Sequence, residues 1–279
     1  MKILLVGGNS SLARSLRPLL AEIAEVVTAG RQGCDLTLDL AGDIHIAPGF
    51  DVVVNTAAHL GGNTAASLQA AEQVNVLGLL ALCQACSAAG VGHLVQVSSI
   101  YATLAPSSPF YNAYALSKKH GDEAALLHTR LQPLPLTILR PSQFYGVGET
   151  YRRNQPFLYT LMDRAQAGQD IELWGGHDAR RNFIHVQDVA DLIARVVRTR
   201  TLGVFACSHP QDIRFSQIAQ AALDAFGSTG RIRFLHDKPD TPDNLFAYDD
   251  ALYRALGHYP QITIDRGMQM EAQHRRSRA

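Results

Sequence analysis

Short β-rich runs, of which residues 3–6 are continuously apolar, alternate along the chain with longer stretches in which Ala and Leu recur at helical spacing. Residues 3–6, 26–28, 51–55, 94–97 and 136–139 form the short runs. A continuous run, as opposed to strict alternation, is the pattern of a strand covered on both faces. Between them, residues 10–20, 67–89 and 113–131 read as helices. The first closes near Pro18 or soon after, and the last is stopped by Pro133 and Pro135. Strand and helix in regular turn predict βαβ units, hence an α/β fold with a doubly wound parallel sheet. Right-handed crossovers line up the carboxyl ends of such strands along one edge, where ligands bind. Beyond Pro141 the pattern loosens. Residues 171–174, 183–186 and 204–206 read as short strands, and 156–167, 187–198 and 216–226 as helices. The expected organisation is a first domain over residues 1–150, to which 183–200 returns, and a smaller, interleaved lobe over 151–279.

Composition narrows the function classes. Of 279 residues, 47% are hydrophobic and 18% charged, which excludes a disordered chain. Lys plus Arg and Asp plus Glu both number 25, so the formal charge is zero. A general electrostatic grip on nucleic acid or an anionic membrane is not expected, and an anionic ligand must be held by local devices. The basic end, Arg275-Arg276-Ser277-Arg278, reads as a solvated tail. Lys2 is followed by only four apolar residues before Gly7-Gly8, too short a core for a secretory signal. No run approaches the roughly 20 apolar residues of a membrane span. A cytoplasmic protein is expected. Cys83 and Cys86 form a CxxC inside an Ala/Leu-rich helical pattern with no second pair, so they read as packed thiols, and no metal site is expected.

The first run leads into Gly7-Gly8-Asn9-Ser10-Ser11-Leu12-Ala13. A strand, a glycine turn and a helix N-terminus together present free amides and a positive dipole end to a pyrophosphate. Gly7, Asn9, Ser10, Ser11 and Leu12 are the candidate cofactor contacts here. The loop departs from G-x-x-G-x-x-G, with Ser10 in the second glycine position and Ala13 in the third. Ser10 either donates its hydroxyl to phosphate or caps the helix. The second strand ends at Ala29-Gly30-Arg31, with no acid before Asp35. An acid there would take ribose hydroxyls, whereas Arg31 suits a 2′-phosphate. The cofactor is therefore NAD or NADP, with NADP favoured. Asp39 and Leu40 are candidates to border the adenine.

Tyr114-Ala115-Leu116-Ser117-Lys118 puts a phenol and an ammonium one turn apart on a helix face. A free phenol has a pKa of about 10 and works poorly as an acid-base group at neutral pH. A fixed ammonium favours phenolate, and a fall of about 3 units would correspond to about 4 kcal/mol. Ser99, at the carboxyl end of the run 94–97, is placed to donate to a substrate oxygen as charge changes there.

Taken in this order, the motifs resemble the extended short-chain dehydrogenase/reductase family, also called the NAD-dependent epimerase/dehydratase family. The likeness extends through Asn55-Thr56-Ala57-Ala58, Asn75-Val76-Leu77-Gly78, Arg140-Pro141 with Tyr145-Gly146, Arg181-Asn182-Phe183-Ile184-His185-Val186, and Leu256-Gly257-His258-Tyr259-Pro260. The resemblance implies a Rossmann-like domain with a smaller C-terminal substrate lobe. It implies Tyr114 as general acid-base, Lys118 on the nicotinamide ribose, Ser99 polarising the reacting oxygen, and Ala57 and Ala58 beside the cofactor. Arg181 falls where a substrate-phosphate arginine often lies, with an ion pair as its alternative. His59 and His185 read as structural. Family members often dimerise through two helices of the nucleotide domain, for which 67–89 and 113–131 are the candidates. Ile100-Tyr101 after Ser99 replaces the Asp-Glu pair of the 4,6-dehydratases, so dehydration is not expected.

The expected function is an NAD(P)-dependent epimerase or reductase of a sugar-like, nucleotide-linked substrate. A dehydrogenase of a free sugar acid or other small carbonyl compound is the enzymatic alternative. A non-catalytic dinucleotide sensor on the same fold is the third.

Overall fold

A computed structural model describes residues 1–278. They form two units, each built from several stretches of chain. The first comprises Met1–Pro141, Ala190–Cys207 and Asp249–His258, and the second Ser142–Val189, Ser208–Tyr248 and Tyr259–Ala279.

The elements up to Pro141 are β1 (Lys2–Val6), α1 (Ser11–Ala21), β2 (Glu25–Gly30), β3 (Leu36–Thr37), β4 (Val52–Asn55), α2 (Ala65–Glu72), α3 (Gly78–Ala88), β5 (His93–Val97), α4 (Ala113–Leu131) and β6 (Leu136–Pro141). Then follow β7 (Gln143–Tyr145), α5 (Pro156–Gln166), β8 (Ile171–Trp174), β9 (Arg180–Arg181), β10 (Phe183–His185), α6 (Val186–Thr199), β11 (Gly203–Cys207), β12 (Ile213–Arg214), α7 (Phe215–Phe226), β13 (Ile232–Leu235), α8 (Ala251–Leu256) and α9 (Ile264–Arg276).

Seven strands form the sheet of the first unit in the order β11-β6-β5-β4-β1-β2-β3, and every neighbouring pair runs parallel. This is the Rossmann-like arrangement that the apolar runs predict. The sheet interior has no polar face because helices cover both sides: Ile3 to Val6 and Val52 to Val54 are all buried. Strand order reverses between β1 and β4, so the crevice beyond their carboxyl ends is the topological switch point.

The stretch expected as one helix is three pieces. A π-helical turn, Gln73–Leu77, joins α2 to α3. Such turns insert a residue into the helical ladder and are frequent at functional sites. The continuous run Ala65–Ala88 is long and apolar enough, by length and composition alone, to cross a membrane. It is not an unbroken apolar run, since Gln69, Glu72, Gln73 and Asn75 interrupt it. In the fold its apolar side is used against the sheet, where Leu79, Leu82, Cys83 and Cys86 join the core with Leu4, Val53 and Leu94. Burial pushes the Cys83 thiol up to about 12.

The second unit has three two-stranded sheets, β7–β10, β8–β13 and β9–β12, with α7 packed against α5 and α9. Of the basic end, Arg276, Ser277 and Arg278 are exposed as expected, but Arg275 and the helix that carries it are not a solvated tail. Ile264, Met268 and Ala272 give residues 264–276 one buried face, and Arg275 is drawn in with it. Its guanidinium bonds Glu271 at 2.7 Å and Asp163 at 2.9 Å.

Candidate active site

The turn after β1 is shaped by its neighbours. Gly7 has φ +76°, and a Cβ on it would stand 2.6 Å from the Ala57 amide nitrogen, so only glycine lets β1 leave beside β4. Ser10 caps α1, its Oγ accepting from the Ala13 amide at 3.0 Å. The same Oγ lies 2.9 Å from Thr56 Oγ1, whose own proton goes to the Val6 carbonyl at 3.0 Å. Ser10 therefore donates to Thr56. Of the two roles left open for Ser10, the cap is the one the structure uses, and the hydroxyl is occupied on both sides. Ser11 and Leu12 open the helix behind it, and no acid sits in the first turn to cancel the dipole.

The Asn9 side-chain amide donates to the Gln32 carbonyl, tying this turn to the loop after β2. Arg31 lies exposed on that loop. Asp35 turns back to its strand, accepting from the Thr28 amide and hydroxyl at 2.8 and 2.7 Å. Those bonds, the amide foremost, hold its carboxyl below the usual range. The pair expected at the adenine divides. Asp39 closes its own turn by accepting from the Ala41 amide at 3.0 Å. Leu40 is a core residue, and a Cβ at Gly78 would collide with its carbonyl oxygen. Ala57 and Ala58 lie half-buried just past β4, with the Ala57 amide bonded to Asn55 Oδ1 at 3.1 Å.

Ser99, Tyr114 and Lys118 meet beyond the end of β5. Ser99 caps a 3₁₀ turn, Ile100–Thr103, its Oγ accepting from the Tyr101 amide at 3.2 Å. The Tyr114 hydroxyl faces the Ser99 side chain, which favours its ionised form. Lys118 Nζ donates to the Val97 carbonyl at 3.0 Å and lies 5.7 Å from the centre of the Tyr114 ring. Tyr101 stands beside Tyr114, with ring centres 6.5 Å apart.

Two devices hold α4 in place. Asn75, in the π turn, donates to the His59 carbonyl at 2.8 Å and Ser117 Oγ at 2.9 Å, and accepts from the His59 amide at 2.8 Å. Gly61, φ +76°, presses on the Tyr114 backbone, where a Cβ would stand 2.8 Å from its nitrogen. The His59 ring serves the same turn, accepting from the Gly61 amide at 3.1 Å.

The electrostatics differ from the expectation for Tyr114. Burial pushes its phenol up to about 12, the Ser99 side chain opposes this, and the Asp122 charge adds to the rise. Removing a forming phenolate from water outweighs the nearby ammonium. Burial pushes Lys118 down to about 8, opposed by the Asp122 carboxylate. The phenol is therefore protonated at neutral pH, and Lys118 is mostly charged. Asp122 was not singled out in the sequence, and Arg140 only as part of a motif. Their signal is present, since Asp122 lies four residues beyond Lys118 on the same face.

These donors fit a dinucleotide. An uncancelled helix N-terminus stands at the switch point, and an ammonium with two further protons lies by the two hydroxyls. Arg181 belongs to the second unit. It is buried there, with Nη1 donating to the Arg180 and Pro242 carbonyls at 2.9 and 2.7 Å, and its guanidinium stands 5.0 Å from the Phe215 ring centre.

The chain belongs to the NAD dependent epimerase/dehydratase family, whose model matches residues 3–205. It is similar to dTDP-4-dehydro-6-deoxy-D-allose reductase of Streptomyces bikiniensis, 26% identical over 213 residues, which are 70% of this chain and 65% of that one. The match thus spans just under two thirds of that relative's length. In fold it is similar to the Bordetella bronchiseptica enzyme WbmF in complex with NAD+, with TM-score 0.81 and 19% identity over 99% of this chain and 92% of that one. It is likewise similar to RMD from Pseudomonas aeruginosa complexed with NADPH, with TM-score 0.77 and 20% identity over the whole of both chains.

Proposed function

We propose that the protein is an NAD(P)-dependent reductase or epimerase of a nucleotide-linked sugar in which Tyr114 moves the proton. The observation that carries this reading is the convergence of Ser99, Tyr114 and Lys118 at the carboxyl end of β5. A bound nicotinamide dinucleotide supplies or accepts the hydride. The α1 N-terminus and the turn from Gly7 to Leu12 would hold its pyrophosphate through main-chain amides, because the Ser10 hydroxyl is already engaged. Lys118 would hold the nicotinamide ribose. Ser99 donates to the substrate oxygen, and Tyr114, protonated at neutral pH, delivers a proton to that oxygen as it gains charge. This favours carbonyl reduction as the first step. An epimerase would instead begin with oxidation, the carbinol hydride passing to the oxidised cofactor and the hydroxyl proton to an ionised Tyr114, and both would then return with the ketone's other face presented. Ile100 and Tyr101 offer no carboxylic acid for eliminating water. The curated relative named above, a dTDP-sugar reductase, supports a nucleotide-linked substrate, and the assignment of Arg181 to a substrate phosphate rests on the family resemblance.

The test is turnover of the purified protein with NADPH or NADH on a panel of dTDP-, GDP- and UDP-linked 4-keto sugars beside free sugar acids. Oxidation of cofactor with a nucleotide-linked 4-keto sugar is the expected result. Activity confined to the free acids selects the alternative dehydrogenase. Calorimetric cofactor binding with no turnover on either set selects the sensor.

Arg31 carries the NADP preference. An exposed guanidinium on a 2′-phosphate is a charge-assisted contact of about 1.5–3 kcal/mol. Arg31→Asp is expected to weaken NADPH binding at least about tenfold and to leave NADH unharmed, as read by fluorescence titration. Equal loss for both cofactors would assign Arg31 no part in the choice.

A homodimer is part of the same reading. Leu127 and Leu131, one turn apart on α4, are 56% and 74% exposed, and Leu77 on the neighbouring π turn is 54% exposed. A second copy of this face would cover them. Sedimentation should give twice the chain mass, and Leu127→Glu with Leu131→Glu should halve it. A monomeric parent protein removes this element.

A further inference from the structure

Behind the Tyr114 and Lys118 pair lies a second charge pair that the reaction as described does not use. Asp122 is 1% exposed and Lys118 is 3% exposed. The two side chains lie one turn apart on the same face of α4. An Asp122 oxygen accepts from Arg140 Nε, at the end of β6, at 2.8 Å. Among the described residues the Lys118 ammonium has the Val97 carbonyl as its direct hydrogen-bond partner, at 3.0 Å, and no carboxylate in contact; it couples to Asp122 through space. Burial raises the Asp122 carboxyl; Ser98, just past the end of β5, faces it and opposes that rise, although its hydroxyl makes no hydrogen bond. Cys207 on β11 meets the Arg140 backbone with a neutral, buried thiol.

We propose that Asp122 is a positioning residue for the reaction, a buried countercharge, pinned by Arg140, that keeps the Lys118 ammonium charged and in place beside Tyr114. This rests on the reading that Lys118 and Tyr114 serve the cofactor and substrate. The physical need is plain. An ammonium removed from water tends to shed its proton, and a neutral Lys118 could neither hold a ribose oxygen as firmly nor stabilise negative charge arising on the phenol. The groups facing Asp122 are Lys118 and, more distantly, Tyr114 from α4, Arg140 from β6, and the neutral Ser98 from β5. Burial raises the Asp122 carboxyl, and Ser98, the Arg140 guanidinium bonded to it at 2.8 Å and the Lys118 charge oppose that rise; we take the carboxylate as the form that Arg140 holds.

The protein has four lysines, Lys2, Lys118, Lys119 and Lys238, so the full chain labelled with ¹³C-lysine gives a resolvable NMR titration, with Lys118→Arg identifying the resonance. In the parent, Lys118 should titrate near pH 8. In Asp122→Asn it should titrate about one unit lower. Should that variant fail to fold with Arg140 left unpaired, Asp122→Asn with Arg140→Met removes both charges and should move the midpoint the same way. An unmoved midpoint in whichever variant folds overturns the proposal. This measurement needs neither cofactor nor substrate, so it stands even if the proposed activity fails. In turnover, the alkaline limb of the kcat/KM profile should move to lower pH in Asp122→Asn. Adding Asp122→Asn to Lys118→Arg should leave that limb where Lys118→Arg alone puts it, because an arginine stays charged throughout. A limb that moves equally in both backgrounds overturns the link to Lys118 and leaves Asp122 a structural role only.

Discussion

Replacing Tyr114 by phenylalanine is expected to reduce turnover by at least about a thousandfold, a loss of about 4 kcal/mol of transition-state stabilisation. Only the hydroxyl goes, so the ring keeps its place beside Tyr101 and under the Lys118 ammonium. Folding should change little, by about 1 kcal/mol or less, since only one polar group is removed. Cofactor affinity should not change, since Lys118 and the turn after β1 are untouched. The comparison therefore separates chemistry from binding. A Tyr114→Phe variant that keeps a tenth of parental turnover would remove the phenol as the proton donor. The sign of the pH dependence follows as well. With its pKa pushed up to about 12, the phenol stays protonated across the neutral range, so its own ionisation should not limit carbonyl reduction between pH 6 and 8. An alkaline limb in that direction belongs to Lys118, which loses its proton near pH 8.

The second large effect is structural. Gly121 sits on α4 where a Cβ would run into the Asn75 carbonyl oxygen of the π turn. Backbone cannot yield as a flexible side chain can. Gly121→Val is expected to cost about 3 kcal/mol through overpacking, read as a lower urea midpoint. Turnover should fall with it, because α4 carries Tyr114 and Lys118. Gly121→Ala should show the same direction at smaller size, although alanine is the better helix former. A midpoint unchanged in both variants would mean that α4 and the π turn do not pack as closely as described.

Much of this was legible in the sequence, for identifiable reasons. The strands β1, β4, β5 and β6 read as apolar-rich runs because both faces of the sheet are covered, with the buried polar residues paired to one another, Asn55 with Gln96 and His93 with Thr137. Ser99, Tyr114 and Lys118 come together because each is fixed by its element: a strand end, and two positions one turn apart. What was not legible depends on distant partners. Whether Ser10 caps or grips turns on Thr56, which lies 46 residues away. The π turn hides in an even Ala/Leu pattern and shows only through the bonds of Asn75. Leu40 reads as a loop residue until Gly78 packs on it. The rise of the Tyr114 pKa depends on burial, which spacing does not report. α9 was missed because its buried residues are few and its end is dense with arginine, one of which is held by Asp163 and Glu271. Leu36–Thr37 and Ile232–Leu235 are too short or too interrupted to stand out as strands.

One strand of the seven comes late. Residues 203–207 lie along β6 and complete the sheet, although more than sixty residues separate the two in the chain. During synthesis, β6 therefore waits with a bare row of amides and carbonyls until this segment arrives. A truncated chain ending at Pro141 would keep that edge permanently open to strands from other molecules, with aggregation as its natural fate.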